Sequence, residues 1–291
     1  MTSNDRLTHL ASACDLVGLD PADAMLLRYH VNAVYLLPRS GAVARMSPIK
    51  RLEQARRGVD VTRWLIAHSF PATAPLDADQ PVQADGCVVT FWRYYDQTSR
   101  SLPPPAELAR LLRQLHRFEA PPCPLPTYQP LASFVDELTT YGPKVLTEAE
   151  YHFLHQQAEE LIETYGSLHS ALGYGLIHGD ARLGNLLWDN SAVVLGDWDS
   201  VSIGPRELDL VITYQGTRYG RSEADLNDFG RAYGWDVRTW PGYLTLRDIR
   251  DLQTLSAPLR LSVDRPDVAE ELHHRIRGLR AKDHTQRWNA F

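Results

Sequence analysis

The chain has 291 residues, room for one large domain or two intimate lobes. Apolar residues make up 44% of it and charged residues 23%, which excludes a disordered or fibrous chain. Thirty basic against 36 acidic side chains give a net charge of −6, arguing against a nucleic-acid partner or a polybasic membrane-surface role. Residues 1–94 carry ten basic and nine acidic side chains, and residues 95–291 carry twenty and twenty-seven, so the acidic excess lies in the second part. Cys14, Cys87 and Cys123 are far apart, so neither a zinc ribbon nor a disulfide framework is written, and a reducing, cytoplasmic setting is expected. Residues 1–9 lack the apolar core of a signal peptide, and no run approaches the ~18 apolar residues of a membrane span. Only three basic residues are lysines: Lys50, Lys144 and Lys282.

In chain order, residues 31–37 and 42–46 are apolar, partly β-branched runs around Pro38-Arg39-Ser40-Gly41, which predicts a hairpin with a four-residue loop. Ser47 and Pro48 read as N-cap and first residue of a helix whose Leu52, Val59 and Ile66 share a face, ending near Ala67. A third strand follows at 87–95. From residue 105 the spacing turns helical through Leu108, Leu111, Leu112, Leu115 and Phe118, and Thr147 with Glu150 forms a capping box before the next helix. A β interruption covers 175–178, 185–188 and 192–195, with a turn at Asp189-Asn190-Ser191, and helices resume near Glu207. Strands first and helices later predict an α+β protein of two lobes, 1–94 and 95–291, with a short β insertion in the helical lobe.

The chemistry concentrates at residues 176–199, where Asp180, Asn185 and Asp197 fall at the ends of short strands and loop side chains can converge. Phosphoryl transfer needs such a set: a carboxylate near the acceptor hydroxyl, and oxygen ligands for a hard Mg²⁺ ion on the nucleotide phosphates. Asp180 suits the first role, Asn185 and Asp197 the second.

With H-G-D-x-x-x-x-N at His178-Gly179-Asp180 to Asn185, and D-W-D at Asp197-Trp198-Asp199 twelve residues later, the chain resembles the aminoglycoside phosphotransferase and choline kinase-like family. The match is specific over residues 176–210. It implies a bilobal protein-kinase-like fold, with a small β-rich N-lobe binding nucleotide and a larger, mainly helical C-lobe. It also implies Asp180 as catalytic base or hydroxyl-orienting group, Asn185 and Asp197 as magnesium ligands, His178 as loop scaffold, and Asp209 as a brace from the following helix. Arg182 stands where protein kinases carry a catalytic-loop Lys and would offset phosphoryl charge. On the third kinase strand the family's phosphate-binding Lys is replaced by Arg45, with Glu53 as the helix carboxylate expected to pair with it. The segment 29–35 lacks a Gly-rich loop, and Asn32 stands near where the family has a polar residue. The adenine is expected at the link around Phe91 and Tyr94. Asp199 reads as a loop cap.

Gly173-Tyr-Gly175-Leu-Ile-His-Gly179 imitates a dinucleotide fingerprint but is one residue too long and precedes a strand. His152-x-x-His155 and His273-His274 read as solvated helix faces, and no P-loop or nucleophile elbow is present. The expected activity is ATP- or GTP-dependent phosphorylation of a small-molecule hydroxyl by a monomer or homodimer, without nucleic-acid or membrane partners. Asp136, Glu137, Glu207 and Asp209 permit a polycationic acceptor such as an aminoglycoside. Kinases of choline, amino sugar or homoserine type remain open alternatives, as does a nucleotide-binding pseudokinase.

Overall fold

The computed structural model describes residues 3–29 and 32–290, and the chain divides into two compact units. The first comprises Met1–Pro103, Phe118–Pro126 and Leu183–Val201; the second comprises Pro104–Arg117, Thr127–Arg182 and Ser202–Phe291. The single cut expected after residue 94 is therefore replaced by several chain crossings, and the hairpin assigned to the helical lobe packs with the N-terminal unit. Among the described residues, no helix is long and apolar enough to cross a membrane.

The first unit opens with α1 (Ser3–Leu16) and an antiparallel sheet of β1 (Met25–Tyr29), β2 (Ala33–Leu37), β3 (Ala42–Pro48), β4 (Val82–Ala84) and β5 (Cys87–Arg93), in the order β1-β2-β3-β5-β4. Period-two alternation gives this sheet two different faces. Ala42, Ala44 and Met46 of β3 join Ala33, Tyr35, Leu37, Val89 and Phe91 in a core closed by Leu10, Ala13 and Cys14 of α1. The intervening Val43 and Arg45 consequently lie on the opposite face.

Gly41 takes a left-handed φ of 57° after a 3-10 turn at Pro38–Ser40, closing the predicted hairpin; Val31, its predicted first residue, lies outside the described residues. The expected helix start at Ser47-Pro48 is not adopted, because both residues still pair with β5, opposite Val88 and Cys87. A 3-10 turn at Ile49–Arg51 intervenes before α2 (Leu52–Ala67). This helix buries Gly58, Val59, Val61, Thr62 and Leu65, whereas Ile66, predicted on the inner face, is exposed.

The second unit holds α3 (Pro105–Leu115), α4 (Ala132–Val145) and α5 (Glu148–Gly166), the last started by the predicted Thr147–Glu150 capping box. After β6 (Tyr174–Ile177) the chain enters the first unit for β7 (Leu186–Asp189) and β8 (Ala192–Leu195), then returns as β9 (Ser202–Pro205), which pairs antiparallel with β6. Helices α6 (Glu207–Gln215), α7 (Glu223–Tyr233), α8 (Tyr243–Gln253), α9 (Ser256–Leu261) and α10 (Pro266–Arg280) complete it. All nine residues of α6 are buried, so it forms the centre of this unit. A sheet-rich N-terminal region and a helical C-terminal region make the expected protein-kinase-like, α+β architecture.

Candidate active site

A cleft of about 510 Å³ opens on the outer face of the first unit's sheet. Val34, Val43, Thr90 and Trp92 form one wall, Gln54, Ala55 and Gly58 of α2 another, and Asn185, Leu187, Asp197 and Asp199 the third. Tyr94 lines it as well. Register explains why Arg45 is here: it sits between Val34 and Thr90 on neighbouring strands, with the core-facing Ala44 and Met46 on either side.

The Arg45 guanidinium is held by both carboxylates of the D-W-D segment. Nη1 donates to Asp199 Oδ1 at 2.7 Å and lies 3.1 Å from Asp197 Oδ1, while Nη2 donates to Asp199 Oδ2. The Asn32 amide, turned to satisfy all its partners, accepts from Arg45 Nη2 at 2.6 Å and Nε at 3.1 Å and donates to Ser47 Oγ at 2.9 Å. A planar guanidinium fork suits such two-point, end-on pairing, which an ammonium could not reproduce. Burial pushes the Asp199 carboxyl above its ordinary range; Arg45 opposes this and the Asp197 charge adds to it.

The loop that presents these carboxylates is fixed by its backbone. Leu195 exchanges hydrogen bonds with the 71–73 segment, donating to Pro71 O at 2.9 Å and accepting from Thr73 N at 3.0 Å. Gly196 N donates to Asn185 O at 2.8 Å, tying the two segments that carry the expected metal ligands. A Cβ at Gly196 would meet Thr73 Cγ2 at 2.8 Å, so the close approach requires glycine. Asp197 is left-handed, with φ 63°, a conformation Asp tolerates and one that concentrates at functional sites. Trp198, 2% exposed, anchors the turn through Nε1 to Leu195 O at 2.9 Å, and Gln54 Nε2 donates to Asp199 O at 3.1 Å. Asn185, Asp197 and Asp199 offer oxygen donors only, a set suited to a hard divalent cation.

In the second unit, Asp209 at the start of α6 organises the His178–Asp180 loop. Its carboxylate accepts from His178 N and Gly179 N, each at 2.8 Å, and lies 3.2 Å from His116 Nε2. His178 is fully buried, and its Nδ1 lies 3.3 Å from the donating Asp180 N. The Asp180 carboxylate emerges from this loop, accepting from Arg250 Nη2 at 2.8 Å and lying 3.2 Å from Arg182 Nε.

A model of the phosphotransferase enzyme family (APH) matches residues 29–248. The chain belongs to that family. No protein of curated function matches this phosphotransferase. Among solved structures, it resembles the amicoumacin kinase hAmiN, described in complex with AMP-PNP, Ca²⁺ and Ami, at 16% identity with a TM-score of 0.78, over 98% of this chain and 96% of that one. A microcompartment-associated aminopropanol kinase is similar at 16% identity and a TM-score of 0.72, over 97% and 99% of the two chains. A choline/ethanolamine kinase family protein from Mesorhizobium loti is similar at 18% identity and a TM-score of 0.66, over 98% and 97%. At these identities the likeness concerns the fold.

Within the phosphotransferase, Arg45, Tyr94, Asn185 and Asp197 gather at the cleft of the first unit, and Asp180, Arg182, His178 and Asp209 gather at one loop of the second. Two residues fall elsewhere. Glu53 is exposed and pairs with Arg56 at 3.0 Å, three residues along the same helix, while the Arg45 position expected for it is taken by Asp199. Phe91 is fully buried in the α1-covered core, and its backbone is already bonded: N to Gln80 Oε1 at 2.7 Å, and O to Leu76 N at 2.9 Å. It has nothing to offer an adenine. Of the acidic residues considered for a cationic acceptor, Glu207 is buried and holds Ser170 Oγ and Leu172 N, each at 2.7 Å, and Glu137 is paired with Arg260 at 2.7 Å. The histidines set aside as metal ligands have other partners: His155 contacts Tyr151 Oη at 3.2 Å and His273 contacts Glu150 Oε1 at 2.8 Å. Asp199, read from the sequence only as a loop cap, stands at these two places with Gln54, His116 and Arg250, which the sequence did not single out.

Proposed function

We propose that the protein transfers the γ-phosphoryl group of ATP or GTP to a hydroxyl of a small molecule. The observation that carries this reading is the cleft in which one strand-borne guanidinium meets the two D-W-D carboxylates. Its apolar wall of Val34, Val43, Leu187 and Trp92 suits a purine, and Tyr94 stands at its edge. Arg45 binds the nucleotide phosphates while Asp199 holds its guanidinium in place. Asn185 and Asp197 would hold Mg²⁺, a fit supported by their oxygen-only chemistry and by the cationic group already drawn to Asp197 at 3.1 Å. Bound there, Mg²⁺ screens the triphosphate charge.

Asp180 orients the acceptor hydroxyl and takes its proton as the acceptor oxygen bonds to the γ-phosphorus and the bond to the bridging oxygen breaks. Arg182 offsets charge on the transferred group. His178 and Asp209 act through the loop, fixing the direction of Asp180 without touching substrate.

The test is acceptor-dependent ADP release by Asp180→Asn and Asp197→Asn. Both should lose at least about a hundredfold in kcat/KM with unchanged circular dichroism. Asp180→Asn should still bind nucleotide in a thermal-shift assay. Turnover retained by both variants overturns the reading.

A further inference from the structure

We infer that the acceptor is a hydroxy acid, carrying a carboxylate near the hydroxyl that is phosphorylated, and that Arg250 binds this carboxylate. The inference rests on the phosphotransfer reading above and names its substrate class.

Charge at the base comes first. Asp180 is faced by two guanidinium groups, Arg250 Nη2 at 2.8 Å and Arg182 Nε at 3.2 Å, so this trio is net positive. An ammonium-bearing acceptor would approach the base against that charge, and a carboxylate would approach with it.

The second observation concerns what Arg250 lacks. Its side chain is 17% exposed, and its Nε is buried without a hydrogen-bond partner among the described residues. Buried donors are almost always satisfied, and the Nε–Nη2 edge of a guanidinium is the edge that accepts a carboxylate side-on. A substrate carboxylate on this edge would fill the vacant Nε–H and take Nη2 from Asp180. The base is thereby released to the acceptor hydroxyl when the acceptor arrives.

Third, α8 carries an uncharged polar side chain one turn from Arg250. Gln253, three residues on along α8, donates through Nε2 to Tyr128 Oη at 2.7 Å. Burial pushes the Tyr128 hydroxyl up to about 12, so it stays a neutral donor and acceptor. In the transfer itself the acceptor O–H proton passes to Asp180, the new bond joins that oxygen to the γ-phosphorus, and ADP leaves with the bridging oxygen.

The experiment uses the full chain with ATP and Mg²⁺ and matched acceptor pairs: glycerate against glyceramide, and 4-hydroxybutyrate against 4-hydroxybutyramide. Ethanolamine, choline and kanamycin serve as cationic acceptors. A carboxylate acceptor should stimulate ADP release, and its amide should lose about tenfold or more in kcat/KM. Arg250→Gln should raise KM for the carboxylate acceptor about tenfold while nucleotide KM stays within about twofold. Glu137→Gln, which removes a carboxylate whose Oε2 is buried without a partner among the described residues, should leave the acceptor KM unchanged.

Stimulation by the cationic acceptors without the acids overturns the inference, as does a nucleotide KM that moves with Arg250→Gln. Nucleotide binding with no turnover of either acid overturns it too. Failure of the kinase reading is separate: it shows as absence of any nucleotide-dependent thermal shift, measured before an acceptor is added.

Discussion

His116 Nε2 stands 3.2 Å from Asp209 Oδ2, with the two side chains only 4% and 0% exposed. His116 ends α3 and is itself held by Tyr233 Oη at 2.9 Å, so a single carboxylate joins α3 and α7 to the loop that carries Asp180.

Removing that carboxylate strands its donors. Asp209→Ala should lower the urea-unfolding free energy by about 3–5 kcal/mol, because the His178 and Gly179 N–H groups lose a charged acceptor in a buried place. His116→Phe keeps both backbone bonds and should cost less, about 1–3 kcal/mol. Equal losses in the two variants would show that the loop does not depend on the Asp209 carboxylate.

Arg45 and Asp199 make the second prediction. Asp199→Ala should raise nucleotide KM about tenfold, since the guanidinium loses the two-point partner that aims it. Glu53→Ala should leave nucleotide KM within about twofold, its ion pair with Arg56 being exposed. Steady-state kinetics in ATP would reverse the assignment if Glu53→Ala gave the larger effect.

Asp248 supplies a pH prediction away from the reaction. Burial, with help from the Asp251 charge, pushes its carboxyl from 3.8 up to about 6. The folded chain therefore holds this proton more tightly than the unfolded chain, and stability falls as pH rises from about 4 through about 6. Asp248→Asn removes the charged form, so its Tm should exceed that of the parent at about pH 8 and converge with it near about pH 4. His284, 3.9 Å away and depressed by burial, works in the opposite sense below its ordinary 6.5, which is why the comparison is between variants. A Tm difference independent of pH would contradict the assignment.

What the sequence made legible were features carried by neighbours in the chain. The capping box at Thr147 and Glu150, the loop at 38–41 and the strand that carries Arg45 are all decided within a few residues. The partners of Arg45 and Asp180 were not legible, because they are chosen by folding across distance. Glu53 is eight residues from Arg45 and Asp199 is 154, yet the latter makes the bond. Arg250 likewise reaches Asp180 across seventy residues, and no local spacing on α8 marks it as different from the other helix arginines. Phe91 was misplaced for a related reason: period two puts it on the α1 side of β5, opposite to its neighbour Trp92, which does reach the cleft. The short β4 and the fully exposed β1 carry too little alternation to be read at all.

The backbone pairing of Leu195 with Pro71 and Thr73 has an evolutionary consequence. The aspartates that meet Arg45 are encoded about 150 codons downstream of it, inside the gene region that also specifies Asp180. The first unit is thus not a heritable cassette. A single recombination with a relative near residue 94 would bring a foreign D-W-D hairpin to the native strand, so arginine and aspartates must change together across the whole gene. Chimeras that exchange acceptor preference are better sought by replacing α8 alone, which lies wholly in the second unit and carries Arg250 with it.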